Sequence, residues 1–578
     1  MANNIGETFT GRQNERQLFT AAFNETARSG KSQFVNYYGQ EGIGKTALTG
    51  MLTAYAERFG MAYALLDCGV YSSINKFMAL TAIANGLYET GGYRFFRLRT
   101  AVSTWRNMTG MTTDIPFSGI SFFNKKIGDE IKEDMAGEEP YLDTEELKSL
   151  SEFTETLGKM KAADICASLD SFFTDDLIYG LKKTARPVVI FIDDFDRLVS
   201  SFEEESMHRP NEVWLSRLMG TLPGTVWVIS GTAPLSDEYP KGILRHELKP
   251  FDETEIQEFM SKRYSSVKET ESIRSMEEAI PLELEMTAEL LYRGIDLPED
   301  RTDTAAALIS ALGSGEKDNA VMLAALQRWT GAKAAEIGKT MDSVLFSPVD
   351  VDALGKAAYI TAGRGNGSIL AMNRTMRKAF LDDPSAAEIV PEANRKALEY
   401  YLLKTVQNEE DPAEGIFGAI SAFVGLSRKD VDAFGLQGFG ILISNVAELS
   451  GMGRADEEFE AAEELFFWAL REKRPEYLSI AANCYSAACH ETGDYQLEKN
   501  VCISWHDNMT ASFGEDSREA QTALSSLVFA YFDTGELKEA EETANRLYDK
   551  QLSQWGEDDE ETQRTAQMLE IIRKNLQQ

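Results

Sequence analysis

The 578 residues are too many for one hydrophobic core and imply roughly three or four domains, in a chain whose formal charge is −35. That acidity repels phosphate backbones, above all from Tyr401 onward, where 34 acidic residues accompany 15 basic ones, so nucleic acid is a poor partner. No run of about eighteen apolar residues and no secretory leader is present, and a cytoplasmic protein without a membrane span is expected. Five cysteines, Cys68, Cys166, Cys484, Cys489 and Cys502, are scattered without a paired metal spacing, which suits a reducing compartment. Cys489 beside His490 reads as helix packing rather than a ligand set.

The first chemistry-bearing element is Gly39-Gln-Glu-Gly-Ile-Gly-Lys-Thr46, preceded by the apolar stretch Phe34 to Tyr38 and followed by helix-forming Ala47, Leu48, Met51 and Leu52. It has the pattern of a phosphate-binding loop. Gly39, Gly42, Ile43 and Gly44 let backbone amides curl around phosphates, Lys45 neutralises the β/γ oxygens, and Thr46 and Ala47 open the helix, with the Thr46 hydroxyl in a magnesium shell. Ala62 to Cys68 follows as a second strand, then helical sequence from Ser73 to Tyr88. Between about Thr100 and Ser151 the pattern loosens into Gly-rich and acidic sequence, expected as an insertion or lid. A helix is expected from Ala162 to Thr184.

Val188-Val-Ile-Phe-Ile192 then reads as a strand buried on both faces, and it ends in Asp193-Asp194. At that strand end Asp193 is placed to hold magnesium through water and Asp194 to polarise an attacking water. Paired aspartates also cap helices, and only the phosphate loop tips the balance towards chemistry. A helix near Val213 to Met219 leads to a further buried strand, Thr225 to Ile229, whose polar tip Ser230-Gly-Thr232 places Thr232 to sense a γ-phosphate or simply to turn the chain.

Helical spacing over Asp252 to Arg293 and Thr302 to Lys356 marks small helical modules, punctuated by Gly294 and Pro298. Ala358 to Thr361 and Ser368 to Met372 flank Gly363-Arg-Gly-Asn-Gly367, a hairpin signal directly before the helix Arg374 to Leu381, as in a winged helix. The last part repeats at an offset of 42 residues: Gly493-Asp-Tyr495 aligns with Gly535-Glu-Leu537, and Gly514-Glu-Asp516 with Gly556-Glu-Asp558. Leu524, Leu527, Tyr531, Gly535, Leu537, Ala540 and Leu547 are spaced as in a helix-turn-helix repeat, which buries its apolar face by stacking and offers a protein-binding surface. The lesser alternative is that these helices only pack back on the nucleotide domain.

This order of motifs resembles the STAND class of signalling ATPases, relatives of NB-ARC and NACHT proteins. Phe9-Thr-Gly11-Arg12 with Glu15 resembles the opening motif whose backbone lies against adenine, which implies nucleotide contacts for Gly11 and Arg12. Leu248-Lys-Pro-Phe251 with Glu255 is similar to the segment leading into the first helical module, and Ile280-Pro281-Leu282 to the motif whose proline touches the base. Ala371-Met-Asn373-Arg374 sits where relatives carry Met-His-Asp, so Asn373 replaces a histidine that contacts the β-phosphate. Ser230-Gly-Thr232 stands where many relatives have an arginine. The repeats resemble the tetratricopeptide type. The resemblance implies ATP or ADP with Mg2+, slow hydrolysis, an ATP-dependent homo-oligomer, and repeats that take a protein partner or other ligand and gate exchange. With about ten residues before Gly11, the effector domain usual in the class is expected to be absent.

The expected fold is therefore multidomain α/β plus α: a P-loop NTPase parallel sheet over 1–250 with an insertion at about 100–151, a helical module over 251–300, a winged helix over 301–400 and an acidic α-helical repeat array over 401–578. Two other functions stay open. One is a DNA-associated ATPase of the origin-recognition type, to which Arg364, Arg374, Arg377 and Lys378 of the wing would contribute. The other is a scaffold that binds nucleotide structurally and holds partners through its repeats.

Overall fold

A computed structural model describes residues 9–576 except 69–75, 110–143, 162–163, 166–167, 198–210, 237–241, 265–272, 274–275, 299, 301–302, 358, 363–369, 408–411 and 453–454. Cys166, the Gly-rich centre of the expected insertion and the tip of the expected hairpin, Arg364 included, lie outside the described residues. The chain forms two compact units. One comprises Met1–Arg94, Thr174–Val199 and Glu212–Ala433; the other comprises Phe95–Phe173, Ser200–Asn211 and Phe434–Gln578.

The first unit is built on a parallel sheet of β1 (Gln33–Tyr38), β2 (Ala62–Asp67), β3 (Val188–Asp193), β4 (Thr225–Gly231) and β5 (Leu244–Glu247), in the order β2-β3-β4-β1-β5. Every residue of β3 and β4 is buried, as continuous Val/Ile/Phe/Trp runs require when helices cover both faces. Phe19, from the helix Gln13–Ser29, packs on Phe191 at 5.8 Å among Val35, Leu52 and Val228. The order separates the loop strand β1 from the aspartate strand β3 by β4 alone. Tyr38 pairs with Gly231, and Ile192 with Ile229, so the ends of all three strands reach one edge. Strand β5 has no counterpart in the sequence reading, because Leu244-Arg-His-Glu247 is an edge strand with three exposed residues and carries no apolar run.

Beyond the sheet, the helix Glu253–Arg263 starts with a capping box: the Asp252 side chain accepts from the Glu255 amide and Glu255 returns the contact. It packs with the helix Pro281–Tyr292 through Phe251, Ile256, Phe259, Met260, Leu284 and Ala288. Farther along, the strands Ile360–Ala362 and Leu370–Met372 pair antiparallel as the hairpin signal implies. A third short strand, Arg328–Trp329, joins Leu370–Met372 on its other side. The helix Arg374–Leu381 buries Met376 and Phe380, and the Phe380 ring lies 6.2 Å from that of Tyr359.

In the second unit, helices Phe96–Thr109 and Thr144–Leu157 run into the loosened stretch from both ends, so regular structure there extends further than composition implied. The helix expected from Ala162 starts at Leu169 and runs to Thr184. The repeat is visible in element bounds: Tyr495–Phe513 and Leu537–Trp555 begin and end 42 residues apart. Their flanking glycines repeat the same backbone, with φ of 77° at Gly493 and 79° at Gly535, then 91° at Gly514 and 87° at Gly556. Left-handed conformations at these helix ends favour glycine, which is why the sequence period shows at these positions. Leu524, Leu527 and Leu547 bury together with Cys502 and Ala530.

Candidate functional site: a phosphate loop under a helical cover

The loop between β1 and the helix Lys45–Arg58 needs glycine at two points. Gly42 has φ 80° and Gly44, the residue before the helix, has φ 95°. A side chain at either position would be strained, and without one the first-turn amides of the helix stay accessible to an anion. Lys45 Nζ donates to the carbonyls of Gly39 at 2.8 Å and Gln40 at 3.1 Å. Burial lowers its pKa, opposed by the charges of Asp196, Asp194, Glu41 and Asp193. An ammonium resting on neutral carbonyls inside such a loop fits a group that transfers to phosphate oxygens. Thr46 and Ala47 remain exposed at the helix start, while Ile43 is buried and its carbonyl accepts from Arg12.

The carboxylates lie at the end of β3. Asp193 is 1 % exposed, and its Oδ1 accepts from Ser230 Oγ and, at 3.3 Å, from Thr49 Oγ1. Ser230 therefore anchors Asp193, and its Oγ also accepts from the Asp194 amide at 3.4 Å. Asp194 has φ 57°, a left-handed conformation that Asp and Asn tolerate better than most residues. Thr232 sits beyond β4, and its amide donates to Asp196 Oδ2 at 2.6 Å. Sequence reading passed over Asp196 and Thr49. Signals existed for both: Asp196 extends the run Asp193-Asp-Phe-Asp196, and Thr49 lies one helical turn after Lys45 on the same face.

The opening motif folds under the loop. Arg12 is 6 % exposed, and its guanidinium donates to the Lys249 carbonyl at 2.7 Å and the Ile43 carbonyl at 2.9 Å. It also lies 5.0 Å from the Phe251 ring centre and 3.6 Å from Glu15. Desolvation lowers its pKa, countered by Glu15 and Glu255. This side chain clamps three segments together through carbonyl oxygens. Gly11 has φ 67°, and a Cβ there would strike the Glu255 carboxylate.

Ile280, Pro281 and Leu282 reach the loop from above. The Leu282 amide donates to the Gly42 carbonyl at 3.3 Å, and a Cβ built on Gly44 would lie 3.6 Å from Pro281 Cγ. Asn373 is an N-cap residue. Its side-chain oxygen caps the helix Arg374–Leu381, accepting from the Thr375 amide at 2.9 Å and the Met376 amide at 3.4 Å, and its own amide donates to the Tyr359 carbonyl. Gly39 to Ala47, Asp193, Asp194, Thr232, Arg12 and Pro281 thus converge on one locus, whereas the described hydrogen bonds of Asn373 are local. The residues fit a nucleoside triphosphate with magnesium: Gly42 to Ala47 would hold phosphates, and Thr46 and Asp193 the ion. When bound, magnesium would supply charge neutralisation between phosphate oxygens.

Residues 8–209 match the family model described as AAA ATPase domain. No curated protein matches the sequence. Among solved structures, a Pyrococcus horikoshii STAND protein with a tetratricopeptide repeat sensor aligns over 94 % of this chain and 84 % of its own, at 12 % identity and a TM-score of 0.34. The Aeropyrum pernix ORC2 protein aligns over 67 % of this chain and 93 % of its own, at 13 % identity and a TM-score of 0.25. Among the described residues no helix is long and apolar enough to cross a membrane. Residues 8–209 are thus similar to an AAA ATPase domain.

Proposed function

We propose that the chain is an ATP- and ADP-binding regulatory switch of the STAND type, a slow ATPase in the cytoplasm. In this reading its carboxyl-terminal repeats take a protein or other ligand and gate nucleotide exchange and assembly into a homo-oligomer. The observation that supports it best is the seat of Leu282 on Gly42. A helical cover that touches the phosphate loop itself makes nucleotide occupancy and cover position one equilibrium. Moving such an equilibrium from 1:99 to 99:1 requires a ligand that prefers the open form by about 5.5 kcal/mol. Lys45 and Asp194 would carry the hydrolytic chemistry, with Thr46 and Asp193 on magnesium and Thr232 near the γ-phosphate.

The DNA-associated alternative is less well supported. The Arg377 guanidinium donates to the Ala324 carbonyl at 2.8 Å, so one basic residue of the wing is engaged within its own domain. The test is the rate of ADP release from parent and Leu282→Ala protein. Faster release from the variant is expected, and an unchanged rate would separate the cover from nucleotide exchange.

A further inference from the structure

Three helices of the second unit bring one imidazole and two carboxylates together. His490 lies in the last turn of Pro475–Glu491, Glu498 in the first turn of Tyr495–Phe513, and Asp533 ends Arg518–Asp533. Glu498 Oε2 and Asp533 Oδ2 each lie 3.3 Å from the same atom, His490 Nδ1. The three ligand atoms all fall within 4.8 Å of one another.

Hydrogen bonding alone accounts poorly for this arrangement. Nδ1 carries at most one proton, which can point well at only one acceptor, and charge-assisted N–H···O bonds run about 2.7–2.9 Å. A tetrahedral ion bonded to N and O at about 2.0–2.1 Å sets neighbouring ligand atoms about 3.3 Å apart. The Glu498 side chain is only 6 % exposed, while the adjacent Lys499 is paired with Glu536. Two carboxylates facing each other across one ring nitrogen, one of them buried, leave negative charge that a cation between them would balance.

We propose that His490 Nδ1, Glu498 and Asp533 bind one divalent cation of the zinc class, with water completing a tetrahedral set. One imidazole with two carboxylates matches zinc better than magnesium or calcium, which take oxygen ligands throughout. Asp533 is 23 % exposed and His490 51 %, which gives the ion and its water a path from solvent. Cys489 is fully buried and lies outside the cluster, as helix packing requires. The ion would pin three successive helices of the repeat array to one another, so metal would stiffen the region assigned to ligand sensing.

The test is calorimetric titration of the chelator-stripped full chain with zinc chloride, together with the visible spectrum of the cobalt(II) form. One ion per chain and tetrahedral cobalt bands without thiolate charge transfer are expected. His490→Gln and Asp533→Asn should each weaken binding at least about tenfold, while Cys489→Ser should leave it unchanged. Asp533 is partly exposed, so Asp533→Asn decides the matter if His490→Gln fails to fold by circular dichroism. Absence of stoichiometric binding, or binding that survives Asp533→Asn unaltered, would overturn the proposal.

Discussion

Leu282 closes on Gly42: its amide donates to the Gly42 carbonyl at 3.3 Å, and a Cβ built on the glycine would lie 2.9 Å from the Cβ of the leucine. The phosphate loop and the helical cover are therefore fitted to a residue without a side chain. Gly42→Ala combines this overlap with a φ of 80°, and strain of that kind costs about 1–3 kcal/mol. The expected result is a lower unfolding midpoint together with faster ADP release. Faster release without loss of stability would mean that the overlap is relieved wholly by lifting the cover.

Arg12 offers a separate test, because structural and nucleotide-contact roles diverge. Lysine cannot reproduce two guanidinium hydrogen bonds to the Lys249 and Ile43 carbonyls while lying over Phe251. Arg12→Lys should lower stability in urea unfolding by about 2–4 kcal/mol. ATP affinity of the molecules that remain folded should stay near the parent value. A large affinity loss without loss of stability would assign Arg12 to the nucleotide.

Lys45→Ala removes the one ammonium placed among the loop carbonyls. ATP affinity should fall by roughly 100-fold or more, as expected for lost charge-assisted bonds to phosphate. Far-ultraviolet circular dichroism should not change, since the side chain supports no packed core. Equilibrium dialysis with labelled ATP measures the loss.

A pH dependence is expected from the repeat unit. Glu458 is 2 % exposed and faces Glu491; burial, and then the Glu491 charge, push its pKa up to about 8. A carboxyl whose folded pKa is raised contributes stability in full below its ordinary value of 4.5, and that contribution fades as pH climbs through about 8. Glu458→Gln should therefore match the parent midpoint near pH 4 and exceed it near pH 8.5. The gain should be about 1–3 kcal/mol, the relief of burying an unbalanced charge. Thermal unfolding at the two pH values measures it, and equal midpoints at both would refute the assignment.

Sequence showed those parts of the fold where chemistry or backbone geometry restricts residue type. The phosphate loop, the buried strands β3 and β4 and the 42-residue spacing of Gly493 and Gly535 are of this kind, since each needs glycine or continuous apolar side chains. Strand β5 was not visible because an exposed edge tolerates Arg245, His246 and Glu247. At the site, Asp193 and Asp194 stood out as a pair, but their supports did not. Ser230 and Thr49 become partners of Asp193 only when β4 and the loop helix lie beside β3. The capping of its own helix by Asn373 follows the preference of a short amide side chain for that position, a role that sequence reading did not assign to it.

A switch that assembles with ATP changes its mass in solution when ATP replaces ADP. Asp194→Asn suits the measurement, because asparagine tolerates the φ of 57° and so removes the carboxylate without disturbing the strand end. Light scattering of this variant with ADP, and then with ATP and magnesium, should show a shift from monomer to a defined oligomer. A mass that stays monomeric with ATP, both alone and after addition of a protein captured by the repeats, would contradict the account and leave a nucleotide-bound scaffold in its place.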